Sequence, residues 1–158
     1  MNGFRFDTVM FPINFIEFLT FEFGKPILEL ADKQGVAVLA IKPMCGGAWP
    51  KGVERTRKWW YRPLEKQDEI DLGLRFTRSQ KCVSAGIPPA FLDLLDKAIK
   101  AGRSYRKITE PEVVKLQEMA KTRESVFRRE EQQVANHAAL GQPVYADSPH
   151  EFCSVMYG

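Results

Sequence analysis

Three short runs of apolar, β-prone residues, separated by helical patterns, restrict this chain more than any other feature of its sequence. They are Thr8 to Phe15 (TVMFPINF), Val36 to Ile41 (VAVLAI) and Lys81 to Ile87 (KCVSAGI). The first two are apolar at almost every position, as strands covered on both faces of a parallel sheet are. Pro12 has no N–H for a ladder bond, so regular pairing of the first run is expected to end near it. Pro88-Pro89 stops the third.

The segments between these runs read as helices. Gly24 to Gln34 carries Ile27, Leu28, Leu30 and Ala31 as an apolar stripe, with Pro26 in the first turn and Gly35 at the C-terminal cap. Gln67 to Ser79 has Ile70, Leu74 and Phe76 inward and Asp68 and Glu69 in its first turn, where they complement the helix dipole. Phe91 to Ala101 repeats apolar residues at Phe91, Leu94, Leu95 and Ala98, and Gly102 ends it. Thr109-Glu110-Pro111-Glu112 is a capping box opening a helix with Val113, Leu116 and Ala120. Beyond Lys121 the polar pattern predicts a solvated continuation of that helix. From Asn136 to Gly158 an irregular tail is expected. The order is β-α-β-loop-α-β-α-α, an α/β class with parallel strands and right-handed crossovers. Residues 1–120 form the α/β body and 121–158 the polar continuation and tail.

The composition excludes several classes. A net charge of +3 and a pI near 8.8 are too weak for a nucleic-acid stripe. Cys45, Cys82 and Cys153 are too far apart for a zinc finger or a disulfide framework, and suit a reducing, cytoplasmic setting. No apolar run approaches a membrane span, and the N-terminus lacks the charged and apolar regions of a signal peptide. The chain enters a strand almost at once, as expected of a piece of something longer.

Three stretches carry a family resemblance: Phe6 to Glu17 (FDTVMFPINFIE), Ala31 to Gly47 (ADKQGVAVLAIKPMCGG) and Leu72 to Ile99 (LGLRFTRSQKCVSAGIPPAFLDLLDKAI). They resemble the last third of the aldo/keto reductases. Pro12-Ile13-Asn14 matches the end of that family's sixth strand, and Lys42-Pro43-Met44-Cys45-Gly46-Gly47 the end of its seventh. Gly73 to Ser79 matches the helix before the eighth strand, and Gly86 to Phe91 the loop and helix after it. The resemblance covers about residues 4 to 120.

It implies a partial TIM (β/α)₈ barrel of three parallel strands with flanking helices and a C-terminal helical extension. A whole barrel needs about 250 residues, more than this chain has. It implies an NADP- or NAD-dependent reduction of a small carbonyl substrate, possible only in a complete barrel. The family's Asp, Tyr, Lys and His set lies on its first four strands, to which nothing here corresponds, so no catalytic residue is assigned. The residues implied on the cofactor side are Asn14, Lys42, Pro43, Met44, Gly46 and Gly47. Three positions depart from the pattern. Met10 replaces a Gln that meets the nicotinamide amide, Ile41 replaces a Tyr that stacks on the ring, and Ile87-Pro88-Pro89 replaces an Arg for the 2′-phosphate. These departures favour a rival reading, a non-catalytic α/β binding or assembly module derived from such a barrel.

Each candidate also has a plainer reading. Lys42, at the end of a parallel strand, suits a phosphate, or simply reaches for solvent at the rim. Gly46-Gly47 suits close approach of a pyrophosphate, or a turn. Asn14 suits a ligand, or a backbone bond to a neighbour. Trp59-Trp60-Tyr61 among Arg57, Lys58 and Arg62 lies in the long Ala48–Lys66 loop, which either closes over a substrate or is packed down by its own tryptophans. Stacking with nucleic acid is the minor alternative. His137, His150 and Cys153 have no metal-ligand spacing. Arg123 to Arg129 alternates with acids as a solvated helix face does. Three parallel strands do not close a barrel, so open sheet edges and one uncovered apolar face should promote self-association.

Overall fold

The structure is a computed structural model, and it describes residues 5–128. The chain divides into two compact units, Met1–Ser125 and Val126–Gly158; the described fold belongs to the first. The second includes the expected tail from Asn136 onward, which lies outside the described residues.

Among the described residues there are three strands and five helices: β1 (Thr8–Pro12), α1 (Phe15–Phe21), α2 (Lys25–Gln34), β2 (Ala37–Ile41), α3 (Gln67–Arg78), β3 (Val83–Ile87), α4 (Leu92–Arg103) and α5 (Glu110–Lys121). The strands form one open sheet in the order β1-β2-β3. Both pairings are parallel, so the α/β class expected from the three runs is present. No described helix is long and apolar enough to cross a membrane.

Two expectations are corrected. The first strand does not reach Phe15. It stops at Pro12, and Asn14 begins a helix in its place, its Oδ1 accepting from the N–H groups of Ile16 and Glu17 at 3.1 Å. An N-cap side chain outweighs the β preference of Phe15 and Ile16, because it satisfies donors that a helix start leaves open. Pro12 itself costs no pairing. Ile13 N–H reaches Ile41 O at 3.0 Å, so by strand alternation the N–H that Pro12 lacks would face the open edge. The second correction concerns α5. It ends at Lys121, and Arg123 to Ser125 follow as non-helical chain rather than a solvated continuation.

Pairing register decides which residues share a face. Val9, Val38 and Val83 align, as do Phe11, Ala40 and Gly86. This face is covered by helices: Phe11, Val38, Ala40 and Val83 pack with Leu28 and Ala31 of α2. A second cluster joins Phe15 and Ile16 of α1, Ile70 and Phe76 of α3, Leu94 of α4 and Leu116 of α5 around Met44 and Leu64. Thr77 Oγ1 donates to Ile13 O at 3.2 Å and ties α3 to the end of β1.

The opposite face is formed by Met10, Leu39 and Ala85, then Pro12, Ile41 and Ile87. It is apolar, yet Met10 is 55% exposed and Ile87 41%, while Leu39 and Ile41 are only half-buried. Among the described residues, helices thus cover one face of the sheet and leave the other bare.

Candidate functional site at the strand ends

Lys42 leaves the C-terminal end of the central strand with φ 58°, a left-handed conformation in which a residue with a Cβ is strained. Its Nζ stands 5.2 Å from the centroid of the Trp60 ring. Partial burial lowers its pKa from the ordinary lysine value, because a charge is disfavoured where water is excluded.

Pro43, Met44, Cys45, Gly46 and Gly47 are all buried in the helix layer. Met44 belongs to the core around Phe15, Ile16 and Leu64. Gly46 N–H donates to Arg62 O at 2.7 Å, and Gly47 N–H to Cys45 Sγ at 3.4 Å. Both N–H groups are engaged within the protein. The Cys45 thiol is pushed up to about 12, chiefly by burial, so it is no nucleophile at neutral pH. Asn14, expected at the end of the first strand, does follow β1, but its side-chain Oδ1 is used as a helix cap. Its Nδ2 is buried with no hydrogen-bond partner among the described residues.

The Ala48–Lys66 loop is braced. Trp49 Nε1 donates to Trp59 O at 2.8 Å. Arg57 pairs with Glu65 and with Asp93 at the start of α4, and stands 4.9 Å from the Phe91 ring centroid. The Arg57 hydrogen bond holds the Asp93 carboxyl below its usual range. Trp59 meets Phe91 edge-on at 5.4 Å, and Trp60 meets Tyr61 at 5.1 Å. The expectation that tryptophans pack the loop down describes Trp59, whereas Trp60 remains 52% exposed. Burial raises the pKa of the Tyr61 hydroxyl, the largest of its causes.

Arg57 and Arg123 organise this region, and neither stood out from the sequence. Arg57 was one of several basic residues in a loop, and Arg123 lay in a run whose alternating charges look solvated. Arg57 reaches Asp93, 36 residues away, and Arg123 reaches Glu69, 54 residues away, separations beyond any local pattern. A cavity of about 390 Å³ lies elsewhere, past the β3 edge between α3 and α4, lined by Leu74, Arg78, Pro88, Leu95 and Tyr105 among others. Among the described residues no group of three or more His, Cys, Asp or Glu side chains is placed to hold a metal. His137, His150 and Cys153 lie outside the described residues. No family model matches the chain, and no curated protein or solved structure matches it.

Proposed function

We propose that this chain is a sector of a (β/α)₈ barrel of the aldo/keto reductase type, and that Lys42 meets a phosphate of a nicotinamide cofactor at the barrel mouth. The observation that carries the reading is the bare apolar face of the sheet. In doubly wound α/β folds helices cover both faces. In a barrel they cover only the outside, and the inner face is apolar because other strands' side chains fill it. Met10, Leu39, Ile41 and Ile87 face away from the helices in that manner. Lys42 then stands at the C-terminal mouth, where barrel enzymes bind their ligands.

The chain's residues fit that cofactor in part. Lys42 supplies a cation at a strand end. Gly46 and Gly47 spend their N–H groups within the protein, and Pro88 and Pro89 have none to offer. Reduction of a small carbonyl compound would be performed by a complete barrel, with the proton donor on strands that are not in this sequence.

The rival is a binding or assembly module without catalysis. Met10 and Ile41 favour it, since both lie on the inner face and neither offers the polar or aromatic contact the resemblance implies. Titration with NADPH and NADH, followed by tryptophan fluorescence, separates the two. Trp60, beside Lys42, should report binding in the barrel completed by its remaining strands, and Lys42→Ala should weaken it about tenfold, the scale of one charge-assisted contact. A completed barrel that binds neither nucleotide would leave the module reading standing.

A further inference from the structure

Residues Arg123 to Ser125, just beyond α5, pack on the body of the protein. Arg123 Nη1 donates to Gly46 O at 3.3 Å, and Nη2 pairs with Glu69 Oε2 at 2.9 Å. Glu124 O accepts from Ala48 N–H at 2.8 Å. Ser125, itself buried, donates from Oγ to the buried Glu17 carboxylate at 2.6 Å. Three consecutive residues therefore grip the loop after β2, helix α3 and helix α1.

The seat of this grip is the glycine pair. A Cβ on Gly47 would stand 2.7 Å from Glu124 O, and one on Gly46 2.8 Å from Arg123 Nη1. Gly47 also sits at φ 100°, where side-chain-bearing residues are strained. Both ends of the long loop meet here. Arg62 N–H donates to Gly47 O at 2.9 Å, Gly46 N–H to Arg62 O, and Leu64 N–H to Met44 O at 2.8 Å.

We infer that Arg123–Ser125 is a latch seated on Gly46-Gly47, which holds both ends of the Ala48–Lys66 loop and thereby keeps Trp60 over Lys42. The pair is used for its missing Cβ atoms, not for its N–H groups. The latch stands on contacts within the chain and does not depend on any nicotinamide ligand, so its failure and that of the cofactor reading are separate events.

Hydrogen exchange measured by mass spectrometry on the full chain tests it. Gly47→Ala should speed exchange at least about tenfold in both segments 46–64 and 119–125, leaving β2 and α4 as they are, since overpacking against fixed backbone opens the contact. Gly52→Ala is the control. Gly52 has φ 76° in the same loop but nothing within 4 Å of its added Cβ, so strain alone should leave 119–125 unchanged. Glu69→Gln and Ser125→Ala, which add no bulk, should loosen the same two segments by smaller factors and carry the test if Gly47→Ala does not fold. Loosening of only one segment, or equal loosening of 119–125 by Gly52→Ala, overturns the latch. Acylation of Lys42 should also quicken in the opened variants. An unchanged rate there would refute the link from latch to Trp60.

Discussion

Lys42 and Asn14 show how one position can be read correctly for place and incompletely for role. Lys42 was legible because a lysine directly after a buried parallel strand must stand at that strand's C-terminal end, and it does. Its left-handed φ costs about 1–2 kcal/mol for a residue with a Cβ. Replacement by glycine relieves that strain but adds backbone entropy to the unfolded chain, of about 0.5–1 kcal/mol. Lys42→Gly should therefore be neutral to slightly stabilising in thermal melts, while any phosphate contact of the kind proposed is lost. A marked fall in melting temperature would instead make Lys42 a structural residue. Its burial-lowered pKa has a defined sign. Between the lowered value and the ordinary 10.5, the unfolded chain holds more protons, so this group's contribution to stability rises with pH. Asn14 is the converse case, since its observed bonds are those of a cap. Asn14→Ser keeps an oxygen for the α1 N–H groups and should cost little, whereas Asn14→Ala should cost about 1 kcal/mol in denaturant unfolding. Equal losses in both variants would show that the unpartnered Nδ2 matters and that the cap is not the main role.

At the scale of elements, the helices with long apolar stripes and glycine or capping signals were readable, as α2, α3, α4 and the start of α5 show. Helix α1 was not, because seven residues rich in phenylalanine carry no periodicity that separates helix from strand. What selects the helix is the Asn14 side chain, visible only once the chain is folded. The end of α5 was missed for a similar reason. Its polar continuation satisfies helix periodicity, but Arg123 and Ser125 gain partners on α3 and α1 only by leaving the helix. At the other end of α5, Glu112 accepts from the N–H and hydroxyl of Thr109 at 3.0 Å and pairs with Arg106 and with Arg75 of α3. The Arg106 hydrogen bond is the main reason its carboxyl is lowered to about 2. A depressed carboxyl stabilises the fold fully above its unfolded value near 4.5, and that contribution fades as pH falls from there towards about 2. Glu112→Gln should lower stability at neutral pH and flatten the acid limb in that window. An acid limb unchanged in the variant would remove Glu112 from the account of acid unfolding.

For the whole molecule, the sheet's bare face is the feature from which the rest follows. The strand runs were apolar at nearly every position, and that predicted cover on both faces; the helices supply it on one. Hydrophobic burial is proportional to area taken from water, at about 25 cal/mol per Å² of apolar surface. A face holding Met10, Leu39, Ile41 and Ile87 therefore gains by finding another surface. Among the described residues nothing pairs with the outer edges of β1 and β3, which adds a template for strand pairing. Since no described residue covers this face, the isolated polypeptide should self-associate through it. Sedimentation velocity should show a concentration-dependent shift above the monomer. The double variant Met10→Glu, Ile87→Lys should abolish it, because charged side chains on the exposed positions cost little in the monomer and much when covered. Helix content should be retained in that variant, since both residues point away from the helical layer. A wild-type chain that stays monomeric with a sharp, cooperative melt would mean that this face is stable against water as it stands. The proposed completion of the sheet into a barrel, and with it the placement of Lys42 at a mouth, would then lose its physical basis.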